Sequence, residues 1–344
     1  MTNPKSTLRI GWFIPWHRTL KDYDRVLASV WIRCLELIGP LQELGYKSTI
    51  NQPWAPMDIA IFVRLQGPWA QRLQRFLQLR RVKTIYSAIV NYYQYEGNMP
   101  TGSYAMSRQQ IDNCIAMTIQ ANAVLAASRY LLGQARKYNA NAAYVPDSVS
   151  RKHFCLTKPV ADFERSPLNL IWAGHASKAH FIDQVMASLQ QLPVKLTVLA
   201  EHPPDLKTPF KFVRWRYETF PGEIIKGDIC ISPRVLDNSY DLGHSNFKIM
   251  VFLAQGVPAL VSPQDSYVEV VRNGFNGYVC QTTEDWVTYL QAMLQDRSQL
   301  AEMSRNAIES AQPYLTETVL AHYDALFQRI ATGQPVVQGK YPTG

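Results

Sequence analysis

Short apolar runs, separated by polar and turn-forming stretches, recur along the whole chain. TLRIGWFIP (7–15) is the first, and a loop rich in Trp16, His17 and Arg18 follows it. Helical spacing predicts a helix over roughly 25–45, closed by Gly45. DIAIFVR (58–64) reads as a short buried strand, 70–81 as a helix and KTIYSAIV (83–90) as another strand. A helix near 108–120 precedes ANAVLAAS (121–128), and after a further helix comes AAYVPDSV (142–149). The strands are continuous apolar runs, the pattern of a parallel sheet covered on both faces.

Residues 151–167, RKHFCLTKPVADFERSP, break this rhythm with charge and proline and read as a linker. The alternation then restarts with NLIWAG (168–174), VKLTVLA (194–200), FKFVRW (210–215), DICISP (228–233), PALVS (258–262) and NGYVC (276–280). Two helices over 283–312 and one near 315–331 complete it, with TGQPVVQGKYPTG (332–344) as a loose tail. The expected fold class is α/β, with two Rossmann-like doubly wound domains facing across a cleft. They occupy 1–150 and 168–314, with a terminal helix and tail at 315–344. Ligands on such sheets lie beyond the C-terminal strand ends.

Composition narrows the class. With 47% hydrophobic and 18% charged residues the chain is globular rather than disordered. Uncharged stretches such as Asn113–Ser128 carry Asn, Gln and Thr, so no segment reads as a membrane span. The opening apolar run is too short for a signal peptide. Five scattered cysteines form no C-x-x-C pair, which suits a reducing cytoplasm. The net charge of +8 is uneven: residues 1–165 hold 21 Lys and Arg against 10 Asp and Glu, and the remainder 14 against 17. A basic front half points to an anionic partner or serves solubility alone.

YDLGHSNFKIMVFLAQGVPALVS (240–262) holds the most informative chemistry. Phe247–Ala254 is apolar almost all round and reads as a buried helix, ended by Gly256 and Pro258. Ser245 is a suitable N-cap, yet Lys248 stands where a capping box places Glu or Gln, and the first turn has no acid. A cation there opposes the helix dipole by about 0.3–1 kcal/mol when exposed. A buried helix opening on Ser, Asn and Lys is suited to an anion.

SNFKIMVFLAQGVPALVS, followed by YVEVVRNGFNGYVC, EDWVTYLQAML and LAEMSRNA, resembles the C-terminal domain of glycosyl transferases group 1. More faintly, AVLAASRYLLGQARKYNANAAYVPDSVSRKHF resembles the end of that family's first domain. The resemblance implies a GT-B fold, a nucleotide-sugar donor as co-substrate, a retaining hexosyltransferase-type reaction and no metal or other cofactor. It assigns Ser245, Asn246 and Lys248 to the donor diphosphate, with His175, Ser177 and Lys178 of WAGHASKAH beside them. Trp215, Arg216 and Tyr217 fall near the nucleobase.

The sequence departs from the family where two acids, eight positions apart, commonly stand. They are replaced by Gly243 and Val251, leaving Asp241 as the nearest carboxylate for the ribose. In the front domain His17 is the candidate catalytic base, with Trp16, Arg18, Tyr92, Tyr93 and Glu96 on the acceptor side. No zinc spacing, P-loop or nucleophile elbow occurs. The expected activity is sugar transfer from a nucleoside diphosphate to an unidentified acceptor, with a membrane-linked glycan as one candidate. Two alternatives stay open: a catalytically degenerate binding protein of the same fold, and a sugar transferase acting on nucleic acid. The latter lacks any nucleic-acid motif. WAQRLQRFLQLRRVK (69–83) carries Arg72, Arg75, Arg80, Arg81 and Lys83 with no acid. Its apolar stripe Trp69, Leu73, Phe76 and Leu77 reads as core, or the helix serves a peripheral contact at the inner face of the cell membrane.

Overall fold

The structure, a computed structural model, describes residues 8–99 and 105–342. Thr7 of the first predicted strand and the last two residues of the tail lie outside that range. Two compact units emerge. Unit 1 comprises the chain to Ser148 together with Asp237–Ser245 and Thr316–Lys340, and unit 2 comprises Val149–Leu236 and Asn246–Leu315 with the chain end.

Unit 1 holds β1 (Arg9–Phe13), β2 (Lys47–Ile50), β3 (Ile59–Val63), β4 (Lys83–Ala88), β5 (Ala123–Ala126) and β6 (Ala142–Tyr144), all parallel in the order β2-β1-β3-β4-β5-β6. β2 is absent from the predicted strands because KSTI is an edge strand, half-exposed and largely polar, without the apolar run that marks the others. The predicted helix over 25–45 is broken into a 3-10 turn at Tyr23–Arg25, a helical turn at Ala28–Val30, a π turn at Trp31–Leu35 and a helix at Glu36–Glu43. Pro40 lies inside the last, where it removes a backbone donor.

The π turn carries Arg33, which is buried. Its Nε lies 2.6 Å from Asp147 Oδ1 as a close ion pair, NH2 donates to the Val145 carbonyl (2.7 Å) and NH1 to the Tyr323 hydroxyl (3.0 Å). Asp147 also accepts from the Ser245 hydroxyl at 2.5 Å. One buried pair thus joins the π turn, the end of β6, the terminal helix Thr316–Ala331 and the last residue of the returning segment. That helix and the segment 237–245 therefore belong to unit 1, where the sequence placed only residues 1–150. The tail is not loose either. The Gln338 amide accepts from the Tyr144 N–H (3.0 Å) and donates to the Tyr144 carbonyl (3.2 Å), covering the outer edge of β6.

Unit 2 holds β7 (Leu168–Ala173), β8 (Val194–Ala200), β9 (Lys211–Arg214), β10 (Ile229–Ser232), β11 (Ala259–Val261) and β12 (Gly277–Val279), in the parallel order β12-β11-β10-β7-β8-β9. Chain progression reverses between β7 and β10, the switch point at which such sheets take ligands. The stretch 151–167 is part of this unit and not a linker: its buried Lys158 pairs with Asp228 at 2.7 Å, and Phe163 is fully buried. Charge in that run marks a satisfied buried ion pair, which composition alone cannot distinguish from solvation.

The Arg33 pair generates a stability prediction. Asp147→Asn strands a buried guanidinium and should cost about 3–5 kcal/mol. Ser245→Ala removes one hydrogen bond to a carboxylate that keeps its cation, and should cost about 1.5 kcal/mol. Urea unfolding of both variants measures the difference; equal losses would contradict the pairing.

Candidate functional site

At the C-terminal end of β7 the chain turns through Gly174. A Cβ built there would lie 2.8 Å from the Trp172 ring and 3.2 Å from Lys248 Nζ, so only glycine leaves room for both. Lys248 lies in the first turn of the Phe247–Ala254 helix, which connects β10 to β11 and therefore begins on the side of the strands' C-terminal ends. Its ammonium sits over the Trp172 ring, 4.8 Å from the centroid. The charge is felt on β10, where burial pushes the Cys230 thiol up to about 12 while Lys248 pulls it back. A fixed cation, a glycine cradle and a helix N-terminus thus converge at the switch point.

Asn246, not Ser245, is the N-cap, with φ −81° and ψ 0° and no capping bond from its side chain. The Ser245 hydroxyl donates instead to Asp147, a charge-assisted hydrogen bond that holds Ser245 one residue ahead of the cap. Asn246 is 1% exposed, and neither its Nδ2 nor its Oδ1 meets a hydrogen-bond partner. An unmet buried amide costs about 1–3 kcal/mol. The helix thus begins on unmet polar capacity.

Other predicted residues of unit 2 fare unevenly. His175 Nε2 lies 3.0 Å from Glu201 Oε1, while Nδ1 lies 3.0 Å from Ser177 Oγ; the ring is exposed and engaged on both nitrogens. Glu201 also accepts the Ala176 N–H at 3.1 Å, anchoring this loop to the end of β8. Lys178 is half-buried at the end of the short turn Ala176–Lys178. Trp215 packs into the apolar core, 5.9 Å from Phe220, and Arg216 is exposed. Tyr217 stacks flat on His153, centroids 3.9 Å apart at 1°, so that face is already occupied by protein.

Val251 is 1% exposed inside the cluster with Ile171, Cys230 and Phe252. The position where the family commonly has a ribose-binding acid here serves the core. Asp241, its suggested substitute, belongs to unit 1 and is buried. It accepts from Asn238 Nδ2 at 2.9 Å, and its own N–H donates to Asn238 Oδ1 at 2.8 Å. Local capping of the short helix Ser239–Leu242 explains that carboxylate.

In unit 1, His17 donates from Nδ1 to the Pro15 carbonyl (2.7 Å) and accepts the Leu27 N–H at Nε2 (3.5 Å), so both ring nitrogens shape the loop. Trp16 and Arg18 beside it are exposed. Tyr92 takes a hydrogen bond from Arg64 at 2.9 Å. Tyr93, expected on the acceptor side, is 4% exposed, stacks on Tyr138, meets Thr118 Oγ1 at 2.7 Å and borders a cavity with Gln94, Arg108 and Asp112. Glu96 is exposed, and its backbone is stitched to Ser239 in both directions.

No protein-family model matches this sequence, and no curated protein matches it. Solved structures do. Sucrose-phosphate synthase from Thermosynechococcus elongatus superposes with a TM-score of 0.68 at 12% identity, covering 95% of this chain and all of that one. HepE from Anabaena, solved with UDP-glucose, gives 0.66 at 12% identity over 93% of this chain and 99% of that one. A glycosyltransferase from Rickettsia africae gives 0.60 at 11% identity over 94% and 99%. The fold is GT-B.

Within this GT-B chain two site features escaped the sequence reading. Gly174 is one, and its signal is a glycine ending an apolar strand ahead of a polar loop. Arg234 is the other, two residues past β10, with its N–H on Ser262 Oγ (2.8 Å) and its guanidinium 3.2 Å from the Tyr267 hydroxyl. It adds a second held cation beyond the strand ends. Among the described residues no group of three or more His, Cys, Asp or Glu side chains could hold a metal ion.

The Tyr217 stack predicts a titration. Burial lowers the His153 pKa, with a hydrogen bond from the ring to the Tyr217 backbone carbonyl acting the other way. A depressed histidine contributes stability above its ordinary value and loses it as pH falls through the folded one. Tyr217→Ala should uncover the ring and move the His153 midpoint up towards 6.5, as read by NMR. An unmoved midpoint would mean that Tyr217 does not cover it.

Proposed function

We propose that this protein is a glycosyltransferase that takes a sugar from a nucleoside diphosphate bound by unit 2 and passes it to an acceptor handled by unit 1. The observation that carries the reading is the Lys248 ammonium held against Gly174 at the start of a buried helix whose N-cap amide is unpartnered. In this reading the bond from C1 of the sugar to the diphosphate breaks with retention. The acceptor hydroxyl bonds to C1 from the same face, and its proton passes to the departing phosphate oxygen. Negative charge grows on the diphosphate as it leaves, so Lys248 and the helix N-terminus stabilise the transition state more than the ground state. The proposal places charge neutralisation on these protein groups and requires no metal. Ser245 serves by holding the chain at Asp147, one residue ahead of the N-cap. UDP is the first nucleotide to test, because HepE, the neighbour described above, was solved with UDP-glucose.

One observation favours a second reading. With Val251 in the core and Asp241 spent on its own helix cap, no identified acid is placed for a ribose. The protein would then bind nucleotide sugars without turning them over.

Calorimetry with UDP, GDP, ADP and dTDP tests the first reading. Lys248→Ala should weaken binding of the responding nucleotide by about 1.5–3 kcal/mol, the scale of a charge-assisted hydrogen bond. The free protein should hardly change in stability. A lost cation–π contact of about 0.5–1 kcal/mol offsets a relieved dipole mismatch of similar size. Unchanged affinity in a folded variant sinks the phosphate role, whereas binding without nucleotide release from any sugar donor selects the second reading.

Val251→Glu probes the ribose question. It buries a carboxylate among apolar side chains and should cost about 3 kcal/mol or more without tightening the nucleotide. Tighter binding would show that the ribose reaches this position after all.

A further inference from the structure

The helix Pro68–Leu79 buries only half of the stripe its sequence suggests, Leu73 and Leu77. Ala70, Leu73, Gln74 and Leu77 face the core, whereas Trp69, Arg72, Phe76 and Leu79, spaced by three, four and three residues, follow the opposite side. Leu79 is 85% exposed and Trp69 56%. Trp54, 76% exposed on the loop after β2, packs edge-on to Phe76 at 5.1 Å. Arg80 locks the two pieces together, its guanidinium 5.5 Å from the Phe76 ring and NH1 on the Pro53 carbonyl at 3.0 Å. Four of the six most exposed large apolar side chains among the described residues are Leu79, Trp54, Trp69 and Ile119. The last adjoins Gln120, which accepts from Arg75 Nε at 2.8 Å.

Exposed tryptophans and a leucine within a fringe of cations are costly in plain solvent. Scattered apolar side chains need no explanation, but a contiguous set does. Residues 68–83 contain Arg72, Arg75, Arg80, Arg81 and Lys83 and no acid, and all four arginines are exposed. Indole rings favour the headgroup level, aliphatic tips reach the acyl boundary, and guanidinium groups pair with lipid phosphates. We propose that this face docks unit 1 on an anionic lipid bilayer, with Trp54, Trp69 and Leu79 inserted and the arginines at the headgroups. Its occupant is argued from charge complementarity and from the amphipathic insertion set, both lying within unit 1. The proposal therefore stands or falls apart from nucleotide binding by unit 2.

The test uses the full chain with phosphatidylcholine vesicles, with and without phosphatidylglycerol. At low ionic strength the protein should sediment with the anionic vesicles, and should be released at about 0.5 M salt, where screening is severe. Arg72→Gln with Arg75→Gln should lower the partition coefficient at least about tenfold, on the scale expected for surface cations. Trp69→Ser with Leu79→Ser should lower it comparably, although no charge changes. Brominated lipid should quench wild-type tryptophan fluorescence, and the quenching should fall in a Trp54→Phe, Trp69→Phe variant. Circular dichroism confirms that each variant is folded. Equal recovery in the supernatant at low salt overturns the proposal. So does binding that heparin abolishes while the Trp69, Leu79 variant binds unchanged, which would mark a polyanion patch instead.

Discussion

The ion pair between Arg33 and Asp147 is the constraint on which the arrangement of unit 1 rests. A buried guanidinium tolerates no loss of its counter-charge, so every element that supplies one of its partners is held in place. Those elements are the π turn that carries it, the end of β6 and the terminal helix through Tyr323. The second oxygen of Asp147 then fixes Ser245. Asn246 follows directly in the chain, and with it the helix whose first turn carries Lys248.

The apparent fault of the helix, a cation at its positive end, becomes intelligible beside its neighbours. Trp172 offers the ammonium a π face, and Gly174 offers it space. Together they hold a positive charge at the switch point, on a first turn that itself carries no acid. Preorganised charge of this kind is most effective where an anion arrives late and grows. Beside it Asn246 keeps a buried amide unmet, which leaves polar capacity at the start of the helix.

Parallel strands were legible because burial on both faces writes them as unbroken apolar runs, and eleven of the twelve match a predicted run. β2 was not, because an edge strand with half-exposed Lys47, Ser48 and Thr49 carries no such mark. The Phe247–Ala254 helix was readable to the residue, yet its cap was not. Ser245 and Asn246 are both good caps by residue type, and the helix takes Asn246 while the Ser245 hydroxyl donates to the distant Asp147. Aromatic side chains misled most. Tyr93 and Tyr217 look like ligand platforms in a list of residues, but one face of each is taken by Tyr138 or His153, which lie far away in sequence. Long-range partners of this sort leave no local pattern to read.

The contact of Gln338 with both backbone groups of Tyr144 bears on how the protein is handled. β6 is only Ala142–Tyr144, and its outer side would otherwise offer a free donor and acceptor to any passing strand. A single side-chain amide imitates the missing neighbour and closes the ladder. Shortening the chain ahead of Gln338 leaves unit 2 intact in sequence but uncovers a sheet edge. The cost of such trimming falls on colloidal behaviour, as intermolecular strand pairing during expression and storage.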